Sequence, residues 1–246
     1  MQDEDEFESF PDSDNGKKET IKEPTVLNVP LPKRGRLEAY VAEIVMMTVV
    51  VVYFLNYLTG RSKNVKLAQA WLDAHRDLLE AQFALVGDDG QGKEPSEEVT
   101  LIKNAEHIYN LWCSGRTCCE GMLIELKFVK RQCLLHMIAQ LFKPQNDKVI
   151  IKVTMEKDAT DTFVMALGTK KSIAYLHKEM TDLASFCGDK KKGESYGLPA
   201  QFQVVSEIHE AAEAVIDARM LKMFELYSDL IDYIHVSDQY SGTRTE

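Results

Sequence analysis

One apolar stretch near the N-terminus dominates the hydrophobic pattern of this chain. Fifteen consecutive residues, Ile44 to Leu58, carry no charged side chain. A bilayer core about 30 Å thick takes about 20 helical residues, so this stretch is at the short end of what can span it. Tyrosines near its ends suit the membrane–water interface. Basic residues bracket it on both sides: Lys33, Arg34 and Arg36, then Arg61, Lys63 and Lys66.

The alternative interpretation is a buried helix of a soluble core. Four consecutive valines between two cationic clusters, without a polar face, favour lipid over a protein interior. We therefore predict a single transmembrane helix over residues 37–60.

The segment before this helix, residues 1–36, is predicted to be a disordered acidic tail. Weak, diffuse calcium binding is one possible role, and the opposing interpretation is a solvated charge run. The spacing Asp12 to Gly16 with Glu23 does not fit an EF-hand loop, because the glycine falls one place early. The candidate calcium ligands are Asp3, Glu4, Asp5, Glu6, Glu8, Asp12 and Asp14.

After residue 60 the pattern changes to short segments with two periods. Apolar residues at helical spacing predict a helix over 63–82, which either continues the membrane helix or follows a sharp turn at Gly60. Alternating residues predict a half-buried strand at 149–155, and an apolar run predicts a fully buried one at 162–167. The other expected elements are strands at 83–86, 108–113 and 122–129, helices at 132–142, after Thr169 through Leu183, at 201–211 and at 215–234, and loops at 90–100 and 190–199.

Short links between these strands permit hairpins. We therefore predict the α+β class for residues 61–246: an antiparallel sheet packed with helices.

The cysteines bear on the side of the membrane. All five follow the apolar stretch, and their odd number and spacing suggest no disulfide framework. Because free thiols persist in reducing compartments, we expect residues 61–246 to be cytosolic and the acidic tail to be lumenal. The basic residues flanking the stretch are balanced and do not decide the orientation.

Sequence motifs for catalysis are weak throughout the chain. Gly168 to Ser172 imitates a phosphate-binding loop, but Phe163 and Thr169 occupy the positions that require Gly and Lys. Thr169 is more simply the N-cap of the following helix. No nucleophile elbow or placed carboxylate pair occurs, so we predict a protein that is not an enzyme and holds no cofactor besides weak calcium.

Two further clusters allow alternative interpretations. Cys113, Cys118 and Cys119 near His107 resemble half of a soft-metal site, but no second cysteine pair exists, so small buried hydrophobes are favoured. Net charge is −10, which argues against general nucleic-acid binding. A local contact with ribosomal RNA or anionic lipid stays open for Lys190, Lys191 and Lys192.

Six segments of the sequence are distinctive when taken together: YVAEI, LAQAWLDAHRDLLE, FALVGDDG, EHIYNLWCSGRTCCEGMLIELKFVKRQ, IKVTM and YGLP. They resemble the calumin family, coiled-coil-domain proteins of the endoplasmic reticulum that form the PAT complex with the small membrane protein Asterix. The resemblance covers residues 32–242.

This resemblance implies a lumenal acidic region, one span and a cytosolic α+β domain in the endoplasmic reticulum membrane. It implies a chaperone role at the Sec61 translocon and ribosome, where multi-pass membrane proteins insert. Family precursors also have a signal sequence and a long basic helical tail, which these residues lack, so the ribosome contact is left open. Low-affinity, high-capacity calcium binding is the alternative function. The side chains expected to meet membrane or partner are Tyr40, Val41, Ile44, Val45, Val49, Val52, Tyr53, Leu55, Asn56 and Tyr57.

Overall fold

The chain divides into two units, residues 1–52 and 53–246. The computed structural model describes residues 40–88 and 99–239. Helix α1 spans Val41–Gln82 without a break at Gly60, so the helix predicted over 63–82 continues the predicted membrane helix. The acidic tail and most of the loop predicted at 90–100 lie outside the described residues.

The first sheet is antiparallel, has five strands and packs against the second half of α1. Its strand order is β1-β3-β4-β5, and β2 also pairs with β3. Alternate residues of β3 and β4 point to α1, as the two-residue period of a strand requires. Ala68, Leu72 and Leu79 meet them there. The strands are β1 Leu85–Val86, β2 Ile102–Ala105, β3 Ile108–Ser114, β4 Cys119–Lys127 and β5 Lys148–Met155.

The second sheet is also antiparallel and has the strand order β7-β8-β6-β9. Both of its faces are covered, since Met165 and Leu167 belong to one buried cluster and Val164 and Ala166 to another. The strands are β6 Val164–Thr169, β7 Lys190–Lys192, β8 Phe202–Ser206 and β9 Tyr233–Ser237. The remaining helices are α2 Leu134–Phe142, α3 Lys170–Glu179, α4 Thr181–Phe186, α5 His209–Val215 and α6 Ala218–Leu226, with 3-10 turns at Lys157–Ala159 and Gly193–Tyr196.

The combination of helices with antiparallel sheet agrees with the predicted α+β class, but two sheets replace the single one expected. The helix predicted at 201–211 is wrong in its first half, where β8 lies. Phe202, Val204 and Val205 are aromatic or β-branched, and the strand is buried on both faces. The period of so short a segment does not by itself distinguish a helix from a strand.

Other predicted elements are corrected in their bounds. The helix predicted at 215–234 ends at Leu226, and β9 follows it. The helix expected through Leu183 is two helices that meet at Met180. The loop predicted at 190–199 is wrong at its start, because Lys190, Lys191 and Lys192 form edge strand β7.

The half-buried strand predicted at 149–155 exists as β5, but its apolar face is exposed. Ile124 of β4 is 2% exposed, whereas Ile151, its direct neighbour across the register, is 57% exposed. The face is exposed because β5 is the edge strand of the sheet and contributes no residue to the buried cluster that packs against α1.

Candidate membrane segment and its junction with the folded domain

In the first half of α1, the large apolar side chains from Val41 to Leu55 are all exposed. Val41, Ile44 and Val49 are more than half exposed, as are most large side chains up to Leu55. A water-soluble surface rarely presents a continuous apolar area of this size. Among the described residues, α1 is the one helix long and apolar enough to cross a membrane, judged by length and composition. Thr48 Oγ1 donates to the Ile44 carbonyl oxygen at 2.8 Å, so this hydroxyl is satisfied within the helix.

Most of the ten side chains expected to meet membrane or partner lie on this exposed surface. Asn56 and Tyr57 are half-buried. Asn56 Nδ2 donates to the Arg131 carbonyl oxygen at 3.2 Å, so this amide contacts the folded part of the second unit. The exposed eight are Tyr40, Val41, Ile44, Val45, Val49, Val52, Tyr53 and Leu55.

A junction follows at the next turns of α1, where the backbone around residue 131 crosses the helix. A Cβ atom at Gly60 would lie 2.3 Å from the Arg131 carbonyl oxygen, so only glycine permits this approach. Asn64 is fully buried one turn later. Its Nδ2 donates to the Val129 carbonyl oxygen at 3.2 Å, and its Oδ1 accepts from Arg131 Nη1 at 2.9 Å. Both the nitrogen and the oxygen of the Asn64 side-chain amide are therefore hydrogen-bonded.

Asp147 completes the junction. Its Oδ2 accepts from Arg131 Nη2 at 2.7 Å, and its Oδ1 accepts from the Val129 backbone N–H at 2.8 Å. Burial alone raises the pKa of this carboxyl, but the hydrogen bonds from Arg131 and Val129 outweigh it, so the pKa lies below its usual value. The group thus stays ionised, and the cross-link holds the segment before α2 and the start of β5 together.

Sequence reasoning missed this junction. Asn64, Arg131 and Asp147 were not singled out, although one signal was present. Asn64 lies on the same helical stripe as Ala68 and Leu72, and a lone amide on a core-facing stripe must find buried partners.

The cysteine cluster does not come together as a metal site. Cys113 is buried in the first core, and burial raises the pKa of its thiol to about 11. Cys118 is exposed at a positive φ of 60°, and Cys119 is half-buried. Within residues 40–88 and 99–239, no three His, Cys, Asp or Glu side chains are placed to hold a metal ion. The interpretation as a small buried hydrophobe thus describes Cys113 but not Cys118.

Thr169 is the N-cap of α3, as predicted, and its Oγ1 accepts from the Ser172 backbone N–H at 3.2 Å. The candidate calcium ligands lie outside the described residues. The three lysines of β7 lie on an edge strand, with the middle one half-buried.

These features define a class: a protein whose described residues contain one candidate membrane-spanning helix that continues into a mixed α and antiparallel β fold. The chain belongs to the family described as PAT complex subunit CCDC47, whose profile matches residues 39–246. The family predicted from the motifs is thereby confirmed. Its description names a complex subunit and indicates no catalytic activity.

Named relatives support this assignment. The PAT complex subunit CCDC47 of Mus musculus is 47% identical over 98% of this chain and 50% of its own length. That of Homo sapiens is 46% identical over the same shares. An uncharacterised protein of Arabidopsis thaliana is 27% identical over 83% of this chain and 44% of its own. The chain therefore spans about half the length of the vertebrate relatives it matches.

Proposed function

We propose that this chain is a non-enzymatic subunit of a PAT-type complex that assists the insertion and folding of multi-pass membrane proteins. In this proposal it lies in the endoplasmic reticulum membrane, with the acidic tail lumenal and residues 61–246 cytosolic. Its partners are an Asterix-like small membrane protein, the Sec61 translocon and multi-pass clients. A ribosome contact, including one through Lys190, Lys191 and Lys192, belongs to the same proposal.

The observation that carries this proposal is the exposed apolar first half of α1 in a chain of this family. A client helix with polar residues is costly in lipid, because each unsatisfied polar group there costs several kcal/mol. A complex that shelters such helices lowers that cost until the client packs. The surface from Val41 to Leu55 would hold the small partner or line the shelter.

The test separates the membrane surface from the folded domain. Scrambling residues 41–55 while keeping their composition leaves Asn56 and Gly60 in place, so the junction with Arg131 is preserved. We expect the scrambled chain to remain in the membrane and to lose the Asterix-like partner in co-purification from cells. Retained capture would place the contact in residues 53–246 instead.

A matched control preserves the surface and removes one hydrogen bond near the junction. Asn56→Leu keeps residues 41–55 intact and deletes the hydrogen bond to Arg131. If the partner binds the exposed surface, this variant should still capture it. Sedimentation with solubilised ribosome–translocon complexes then reports docking of the folded domain separately.

Calcium binding by residues 1–36 is the alternative function. It predicts heat of binding at millimolar calcium when the tail peptide is studied by calorimetry. Absence of that heat would contradict the calcium-binding function and would leave the membrane proposal unaffected.

A further inference from the structure

Helix α2, Leu134–Phe142, presents its apolar side chains outward and its polar ones toward the protein. Leu135, Leu141 and Phe142 are 75%, 82% and 86% exposed. The two polar side chains, His136 and Gln140, are half-buried. Gln140 Nε2 donates to the Gln145 carbonyl oxygen at 3.0 Å. A surface helix of a water-soluble protein directs its apolar side chains to the core and its polar ones to water. The outer face of α2 therefore suits an apolar environment.

The chain segment that leads into α2 is held where the uncharged run of α1 ends. Arg131 meets Asn56 by a hydrogen bond and Gly60 by backbone contact. These two residues lie on either side of Leu58, the last large apolar residue before Arg61. With a rise of 1.5 Å per residue, the Arg131 carbonyl lies within about 3 Å of Leu58 along the helix axis. Helix α2 starts three residues after Arg131.

We propose that α2 is a second membrane contact: a helix lying in the plane of the headgroup region on the side where α1 leaves the bilayer. Leu135, Ile138, Leu141 and Phe142 then enter the acyl chains. This inference rests on the proposed membrane span of α1, because it places α2 against the same bilayer.

Charge favours lipid over a protein partner on this face. Helix α2 contains no acidic residue. Lys130 and Lys143, both exposed, flank it and complement anionic headgroups. Amphipathic helices with apolar residues on one side and flanking cations bind at the boundary between the headgroups and the acyl chains. The half-buried polar side of α2 faces the protein, which leaves the apolar side free for acyl chains.

Photo-crosslinking in the full chain tests this placement. The chain is reconstituted into phosphatidylcholine vesicles that contain a minority of phosphatidylserine. p-Benzoylphenylalanine replaces Phe142, Phe54 or Leu78 in separate preparations. Leu78 is the matched control, because it is 62% exposed but lies about 30 Å beyond Leu58 along α1. We expect lipid adducts, read by intact mass spectrometry, at Phe142 and Phe54 and none at Leu78.

The outcomes separate this inference from the proposed function. Adducts at Phe54 without adducts at Phe142 overturn the in-plane helix and leave the span standing. Loss of adducts at both positions removes the span, and the in-plane helix with it. In endoplasmic reticulum microsomes, a protein cross-link at Phe142 in place of lipid would assign this face to a protein partner and also overturn the inference.

A charge substitution provides the second measurement. With the probe at Ile138, Leu141→Asp should abolish the lipid adduct, because a carboxylate does not enter acyl chains. Leu141 is exposed, so the thermal unfolding of the domain should be unchanged. The matched substitution Leu78→Asp should leave the adduct at Ile138 intact. Persistent labelling in Leu141→Asp would contradict the in-plane placement.

Discussion

Gly60 shows how one missing side chain sets the approach of two backbone segments. An added Cβ would lie 2.3 Å from the Arg131 carbonyl oxygen, and backbone has little room to move aside. We expect Gly60→Ala to destabilise the second unit by about 1–3 kcal/mol, as overpacking does, despite the better helix propensity of alanine. Gly188→Ala is the control, because nothing lies within 4 Å of its added Cβ. Equal denaturant midpoints for the two variants would contradict the close contact.

Asp147 gives the junction a dependence on pH. Its folded-state pKa is lowered by Arg131 and Val129, so its contribution to stability is present above the unfolded pKa of about 3.9. That contribution is lost as the pH falls through the lower folded pKa. We expect Asp147→Asn to be less stable than the parent chain at pH 7, with a difference that shrinks below about pH 4.

Thermal unfolding across this pH range checks the expectation. The control is Asp158→Asn, which alters an exposed aspartate away from the junction. Parallel stability curves for Asp147→Asn and the parent chain down to acid pH would show that the carboxylate carries no linked proton. The junction would then depend on neutral hydrogen bonds, such as those of Asn64.

At the scale of elements, β4 and β5 offer a paired comparison. Ile124 and Ile151 are direct neighbours in the register and point to the same side of the sheet. Because Ile124 is buried under α1, Ile124→Ala should cost about 2–5 kcal/mol. Ile151→Ala at the exposed edge should stay within about 0.5 kcal/mol in detergent solution. A large loss at Ile151 would mean that another part of the chain covers this face.

Periodicity predicted the elements whose burial follows from local pattern. The stripe of Ala68, Leu72 and Leu79 on α1 and the cap at Thr169 were readable, because neighbouring residues determine them. Strand β8 was not predicted, because three apolar residues in a five-residue segment are compatible with a helix and with a strand. The division into two sheets also escaped prediction, because pairing between distant segments leaves no mark on local period.

The junction could not be predicted from the local sequence pattern for a related reason. Asn56 and Arg131 are 75 positions apart, and their contact depends on how the sheet packs against α1. The sequence predicted that α2 is a helix but not that its apolar face is exposed. Its outward apolar face follows only from the exposure of its side chains in the folded structure.

The second unit as a whole contains two sheets whose cores are separate. The buried cluster under α1 shares no residue with the two clusters of the second sheet. Lys148 and Asp232 link the sheets by an exposed ion pair at 3.0 Å, and such pairs contribute about 0–1 kcal/mol. Because the buried cores are separate, we expect the two sheets to unfold separately, although they belong to one compact unit.

Cys113 and Cys187 report on these two cores independently. Cys113 belongs to the cluster under α1, and Cys187 to a cluster of the second sheet. Burial raises the pKa of each thiol to about 11, so both should resist alkylation until their own core opens. We expect pulse alkylation across a urea series, read by peptide mass spectrometry, to give two separate transitions. Exposed Cys118 should react throughout and serves as the internal control. Coincident curves for Cys113 and Cys187 would show that contacts between the sheets make their unfolding cooperative, because separate cores without such coupling open at their own free energies.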